Sequence, residues 1–560
     1  MSWELGLDKS GNENNWTANN ITMANQMVDS PTNNFATLNA VDNYQGALSE
    51  GNLRVRCNSG KIVKATMGGV KYYFEWVVLD ALDGGVGAGI ANHLTTETWP
   101  GFGKGHAYLS PGIYSTDGTE TGSQTSYAVN DIISMTVDTT TATNNIKYYK
   151  NNSLVITRSY ACDEFFLPAG FDGSSGTAAS MHFNFGQDSS FGGKFTAQGN
   201  QDGNDIGDFY YAPPTGFLAL CTSNLPDVAV VPSENFNTVL YTGNESGQSI
   251  DVGFQPDWVW MKSRSEAHGN AVIDSVRGVN ANWLYTNTAD DEFSEEDNQI
   301  SFDSDGFNLL TGYNISNDSG QSYVAWNWKA GNATLGTGDF TQGSTASTCS
   351  RNVDAGFSIV NYTYPSGANT IGHGLSKAPE MILMKNRDTA NNWDVYHVDV
   401  GPTKRLVLNT TGTPDTNIGP WNNTAPTPTV FSTNNWLSAG SVIAYCFHSV
   451  DGYSKVGSYE GNDSADGTFV FTGFRPAFVI VKNIDDSYSW IMSDTKREPT
   501  NVMADELYPS ASAAEYISSG ERWDFLSNGF KLRSGSAVTN EDTHIYIAFA
   551  ESPFKYSNAR

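Results

Sequence analysis

The chain has 560 residues, with 31 Lys and Arg against 60 Asp and Glu, a formal net charge of -29, 55 Gly and 12% aromatic residues. Such an acidic surface repels nucleic-acid phosphates and disfavours anionic lipid, and no apolar run approaches the roughly 20 residues of a membrane helix. The length exceeds a single core and predicts three to five domains.

The N-terminal "MSWELGLDKSGNENN" lacks the basic and apolar regions of a signal peptide. Residues 1–49, rich in Asn and Thr, are predicted to form an extended segment ordered only by packing. Five widely spaced cysteines, Cys57, Cys162, Cys221, Cys349 and Cys446, contain no CxxC. They predict free thiols in a chain made in a reducing cytoplasm.

From residue 50 onward, short apolar alternations recur between Gly, Asn, Asp and Ser clusters, the pattern of all-β sandwiches. "KYYFEW" (71–76) is an aromatic strand. "NDIISMTVD" (130–138) and "IKYYKNN" (146–152) flank an Asn-rich hairpin turn. Trp76 and Tyr148 are expected in or at the edge of the core. "GGVGAGIA" (84–91) reads as a close-packed strand. It leads into "NHLTTETWP" and not a helix, so it is no nucleotide loop.

Residues 227–560 write one phrase three times: "GFQPDWVWMKSR" from Gly253, "GLSKAPEMILMKNR" from Gly374 and "GFRPAFVIVKNI" from Gly473. Its prolines, Pro256, Pro379 and Pro476, are 123 and 97 residues apart. That period is too long for a solenoid. Three tandem β-sandwich-like repeat domains follow, over 227–353, 354–453 and 454–560. Proline fits a strand's first position, and the apolar run after it suits a strand covered on both faces. Lys262, Lys385 and Lys482 end the run and are expected to reach water as strand-end charges. Asp274 with Arg277, and Asp494 with Arg497, are expected to be ion pairs that fix a turn.

No motif for chemistry stands out. The eight histidines are dispersed, without HExxH, and His373, His397 and His448 are expected to be hydrogen-bonded structural residues. There is no GxSxG and no P-loop. Acidic residues abound, but no pattern selects a glycosidase pair. "DSDG" (303–306) and "NQDGND" (200–205) place oxygens at alternate positions, as calcium loops do; both are expected to be Asx turns, with Ca²⁺ the one metal the sequence admits. "DDEFSEEDNQ" (290–299) is expected to be a solvated acidic loop. Binding remains. Trp99, Tyr114, Trp283, Trp421 and Trp436 are the loop aromatics that could stack on sugars, although a packed loop or subunit contact is the expected role of each.

The "KYYFEW", "GAGIA", "NDIISMTVD", "IKYYKNN", "LPAG", "FNFGQDSSF" and "PPTGFLALCTSNLP" motifs, in that order, resemble a SPRY domain over residues 50–226. The whole layout, from "LDKSGNENNWTANN" through "YVAWNWKAG" and "GYSKVGSYEGN" to "YIAFAESPFKYSNAR", resembles large virion proteins of marine tailed bacteriophages. In related chains a concanavalin-like domain often precedes the "SGNENNWT" segment. The resemblance implies a non-enzymatic structural protein of the virion, made in the host cytoplasm. It would be a tail fibre or appendage subunit contacting a host surface glycan or protein, assembled with other virion proteins, and a homo-oligomer, trimer favoured. Capsid decoration or a head fibre is the alternative, and a polysaccharide depolymerase a third reading. No catalytic residue, metal ligand or cofactor is assigned, and no nucleic acid is expected.

Overall fold

The computed structural model describes residues 29–556 apart from 31, 44–45, 58–60, 81–84, 95–104, 118, 123, 144, 161–164, 173–177, 279–282, 293–299, 311–313, 365–366, 417–419, 435, 518–519 and 521, together with 12, 14, 15, 17 and 19. Among the described residues the regular structure is β-strand plus a few single 3-10 turns. The chain divides into two compact units, residues 1–227 and 228–560.

The first unit is a two-sheet β-sandwich. One sheet has seven strands, ordered Leu38–Asn43, Lys61–Ala65, Phe166–Asp172, Val86–Asn92, Gly105–Leu109, Ile113–Thr116 and Thr119–Thr121. The other centres on Lys71–Val78, paired with Ile132–Asp138 on one side and Ala179–Asn184 on the other. Faces meet through aromatic rings: Tyr148 stands edge-on to Trp76 at 6.3 Å and to Tyr108 of the opposite sheet at 5.7 Å. Trp76 and Tyr148 are fully buried, as the strand alternation predicts. Truncating Trp76 to Ala is expected to cost about 3–5 kcal/mol, read as a lowered melting temperature. Glycine has a steric role in "GAGIA": a Cβ on Gly89 would lie 1.9 Å from the His106 carbonyl oxygen of the neighbouring strand.

One boundary moves. Leu38–Asn43 and Ala47–Ser49, which the sequence reading leaves in an extended segment, pair into the two sheets. Among the described residues there, Phe35, Ala36 and Leu38 are the buried apolar side chains. The strand is further held by a buried ion pair between Asp42 and Lys64 at 3.0 Å. An Asn-rich composition hides such a strand.

The second unit contains the three repeats. Each has a main sheet with one strand order: an outer strand (Phe236–Thr242, Phe357–Thr363, Ser454–Glu460), a closing strand (Ser322–Trp328, Ser441–Phe447, Thr543–Pro553), a lysine strand (Trp258–Ser263, Met381–Asn386, Phe474–Asn483) and a following strand (Ala271–Asp274, Asp394–His397, Ile491–Asp494). The register is the same in all three. Trp258 faces Trp328, Met381 faces Phe447 and Phe478 faces Phe549. Pro256, Pro379 and Pro476 stand two residues before those pairs, in equivalent places. A smaller sheet backs each main sheet and encloses a private core, such as Val259, Met261 and Phe307 in the first repeat.

The other face of each main sheet packs into a core shared by all three repeats. Trp258, Trp260, Trp326 and Trp328 of the first meet Met381, Leu383, Tyr445 and Phe447 of the second and Phe478, Ile480, Ile547 and Phe549 of the third. Trp258 stacks on Tyr445 at 4.5 Å, and Phe236 on Phe549 at 5.0 Å. The central void among these side chains is about 10 Å³, at the limit for one water and wholly apolar.

Polar links repeat around this core in one cyclic sense. The side-chain N–H of Asn270 donates to the Tyr508 carbonyl (3.1 Å), that of Trp393 to Tyr285 (2.8 Å) and that of Trp490 to Val407 (3.1 Å). Thus repeat one reaches three, two reaches one and three reaches two. The lysines follow the same cycle. Lys262 Nζ donates to the carbonyls of Ser263, Glu266 and Ser512; Lys385 to those of Asn386, Asn391 and Ala289; Lys482 to those of Asn483, Asp486 and Thr411. The three repeats therefore close a ring with pseudo-threefold symmetry.

This corrects the expectation that the lysines reach water. All three are fully buried. The turn after each strand and a loop of the neighbouring repeat bring three carbonyls to each ammonium, so its donors are satisfied without solvent. A second boundary also moves: Ser347–Asn352, placed by sequence in repeat one, pairs with Phe357–Thr363 of repeat two.

Two of the three repeat boundaries carry the same charged bridge. Asp274 fixes its turn by accepting from the backbone of Val276 and Arg277 and pairing with the Arg277 guanidinium, as the D-x-x-R spacing predicts. Arg277 then binds Glu292 (3.0 Å), which binds Arg387 of repeat two (2.6 Å). Asp494, Arg497, Glu515 and Arg264 of repeat one form the equivalent set at 2.5, 2.8 and 2.8 Å. At the third boundary the matching positions are Val400 and Ile484, both packed against the shared core.

Candidate binding site

The residues singled out for chemistry resolve mostly into structure. Tyr114, Trp283 and Trp421 are buried. Trp436 is half-buried, with Arg405 over its ring at 4.3 Å and its indole N–H on Asp394 at 2.8 Å. These four rings are occupied by packing and offer no sugar platform; Trp99 lies outside the described residues. His373, His397 and His448 are buried and bonded to backbone carbonyls. Cys57, Cys221, Cys349 and Cys446 are free buried thiols, and Cys162 lies outside the described residues.

Both calcium-like turns are Asx turns. Asp303 accepts from the backbone N–H of Asp305 and from Asn308. Asp202 accepts from Asn204, Ile206, Ala219 and Asn224, pinning the end of the sandwich. Among the described residues no three His, Cys, Asp or Glu side chains gather as a metal site. Of the acidic run 290–299, Glu292 belongs to the charged bridge and residues 293–299 lie outside the described residues.

Glu75 is the most perturbed carboxyl of the sandwich. It is fully buried and accepts from Tyr73 Oη (2.9 Å), Asn184 Nδ2 (3.1 Å) and the backbone N–H groups of Tyr210 and Tyr211 (2.9 and 2.8 Å), tying that segment to the central strand. Burial raises its pKa to about 7, and the four donors only partly oppose that. The folded state holds a proton that the unfolded chain releases near pH 4.5. The associated stability is complete below that pH and is lost as pH rises through 7. In Glu75→Gln this dependence should vanish, so the wild-type fall in melting temperature of the sandwich between pH 5 and 7.5 should flatten. An unchanged pH profile would refute the assignment.

An open cavity of about 310 Å³ lies on the sandwich. Its floor is His182, which pairs across strands with Arg54. The ring is buried, with Phe191 edge-on at 5.8 Å and Asp188 Oδ2 3.9 Å from Nε2. Burial lowers the His182 pKa to about 4; Asp188 opposes the shift and Arg54 adds to it. The imidazole is therefore neutral at pH 7.

The loop from Asp188 to Lys194 forms one wall. Asp188 accepts from the backbone of Ser190 (2.8 Å) and Gly192 (2.6 Å). Phe191, Gly192 and Gly193 take φ values of 51°, 69° and 80°. A Cβ on Gly192 would come within 3.1 Å of His182 Cε1, so glycine lets the loop lie on the imidazole. Glu50, Arg54, Leu79, Asp80 and Lys194 complete the lining. Asp80 is committed to Arg56 (2.8 Å) and Ser180. Among the described residues, neither the Arg54 guanidinium nor the Lys194 ammonium has a hydrogen bond or ion-pair partner. In the sequence "FNFGQDSSF" stands only as a fold motif. The Gly-Gly-Lys after it was the available signal for a built loop.

A family profile described as "Domain of unknown function (DUF7483)" matches residues 231–553, the span of the three repeats. No curated protein matches the chain. Among solved structures the chain is similar to stonustoxin, at 18% identity over 27% of this chain and 27% of that chain with a TM-score of 0.23. It is similar to the SPRY domain of human HERC1, at 17% identity over 26% of this chain and 96% of that one with a TM-score of 0.22. It is also similar to the carbohydrate-binding module CBM66 from Bacillus subtilis, at 15% identity over 26% and 91% with a TM-score of 0.19. The chain spans about a quarter of the stonustoxin chain.

Proposed function

We propose that this chain, which belongs to the DUF7483 family, is a structural protein of a tailed-bacteriophage virion, a tail fibre or appendage subunit that binds the host surface without covalent chemistry. The observation that carries the binding role is the open polar cavity on a β-sandwich, in the same chain as a closed ring of three repeats. The repeats share one core, and the sandwich supplies a concave site with uncommitted cations. The phage setting rests on the sequence resemblance. Oligomerisation, with a trimer favoured, belongs to the same reading. Because each repeat boundary is already closed within one chain, copies would meet through other faces.

A second reading, capsid decoration, is favoured by one specific observation: a pseudo-threefold body matches a local threefold position of a shell. Electron microscopy of virions with a gold-labelled antibody separates the two. Label at the tail supports the adhesin and label over the head supports decoration. Purified chain should bind host cells without releasing reducing sugar; sugar release would replace both readings with a depolymerase.

A further inference from the structure

The geometry points to the His182 cavity as a subsite for a sugar carboxylate, so that the surface glycan this chain meets is acidic. The inference rests on the host-surface reading above and names its ligand class. In a chain of net charge -29, two cations without a carboxylate partner among the described residues line one concave site, Arg54 and Lys194. A carboxylate is the group that a guanidinium and an ammonium recognise together. The cavity holds more than an anion: about 310 Å³ suits a monosaccharide, and Glu50 on the lining is an acceptor for sugar hydroxyls.

The site is built, not incidental. Gly192 and Gly193 take positive φ to cover the imidazole, and Asp188 spends its oxygens on that loop. Of the two carboxylates on the lining, Asp80 is held by Arg56 and Ser180, and Glu50 is ion-paired with neither cation among the described residues. Such a site also explains how an acidic protein meets an acidic envelope. At 1 M salt the Debye length is about 3 Å, so bulk repulsion is screened while a direct ion pair in a cavity survives.

Saturation-transfer NMR on the full chain, with sodium glucuronate, glucose and sodium acetate as separate probes, tests this. Glucuronate should bind at least about tenfold more tightly than either glucose or acetate, about 1.4 kcal/mol. Arg54→Gln and Lys194→Gln should each weaken glucuronate at least about tenfold. Lys194 is exposed on its loop, so its variant remains informative if Arg54→Gln fails to fold. Absence of transfer to glucuronate, equal binding of glucose or acetate, or unchanged affinity in a folded variant overturns the subsite. Host-cell binding that persists in both variants would discard the subsite and leave the adhesin reading; loss of cell binding by the unmodified chain would discard the adhesin reading itself.

Discussion

Replacing Lys482 with Met lowers the stability of residues 228–560 by about 3 kcal/mol, because three carbonyls, one in a buried bond and two in part-buried ones, lose their donor at about 1 kcal/mol each. Those carbonyls belong to Asn483, Asp486 and Thr411, so the loss strikes both the turn after the strand and the junction with repeat two. The effect also has a pH signature. Burial lowers the Lys482 pKa to about 8 from 10.5, with Asp486 opposing. Between those values the unfolded chain holds more protons than the folded one. The lysine's contribution is therefore complete above 10.5 and falls as pH drops through 8. The cost of Lys482→Met, measured by urea unfolding followed by tryptophan fluorescence, should grow between pH 7 and 9.5. A cost below about 1 kcal/mol, or one that shrinks with pH, would show that the side chain does not hold the junction.

Glu292→Ala is expected to cost about 3 kcal/mol, since it removes the carboxylate that joins Arg277 to Arg387 at the boundary of repeats one and two, leaving Arg277 with Asp274 and Arg387 with Asn361. Glu292 is 4% exposed and Arg277 1%, so water cannot readily replace the lost carboxylate. Glu515→Ala should cost a similar amount at the boundary of repeats three and one, where the same bridge recurs. The paired variants check symmetry as well as energy. A large effect at one boundary and none at the other would mean that the bridges are not equivalent.

The strand content and the threefold repetition were legible because they rest on local pattern. Gly, Pro, a short apolar run and Lys mark equivalent strands in all three copies. The D-x-x-R turns were legible because both partners are close in sequence. Ring closure was not. Its acceptors are backbone carbonyls of Ser512, Ala289 and Thr411, which carry no residue signature. Its side-chain donors at one equivalent position are Asn270, Trp393 and Trp490, three residues of two chemical types. A lysine ending a strand reads as solvent-seeking until the loop that covers it is known. Trp283 and Trp421 stand in loops where packing is the expected role ahead of a sugar platform, and the structure folds both inward. The cavity was hidden for a related reason, since Arg54 and Lys194 are 140 residues apart in sequence and meet only through the pairing of Arg54 with His182.

The central structural claim is that three repeats form one closed body and not three beads. Native-state hydrogen exchange on the full chain tests it most directly, through the amides of the three lysine strands, with Trp260, Leu383 and Ile480 as reporters. A closed ring predicts a common opening free energy for all three, and a joint drop in all three when Lys482 is replaced by Met. Weakened protection confined to Ile480 and its own repeat, with Trp260 and Leu383 unchanged, would contradict it.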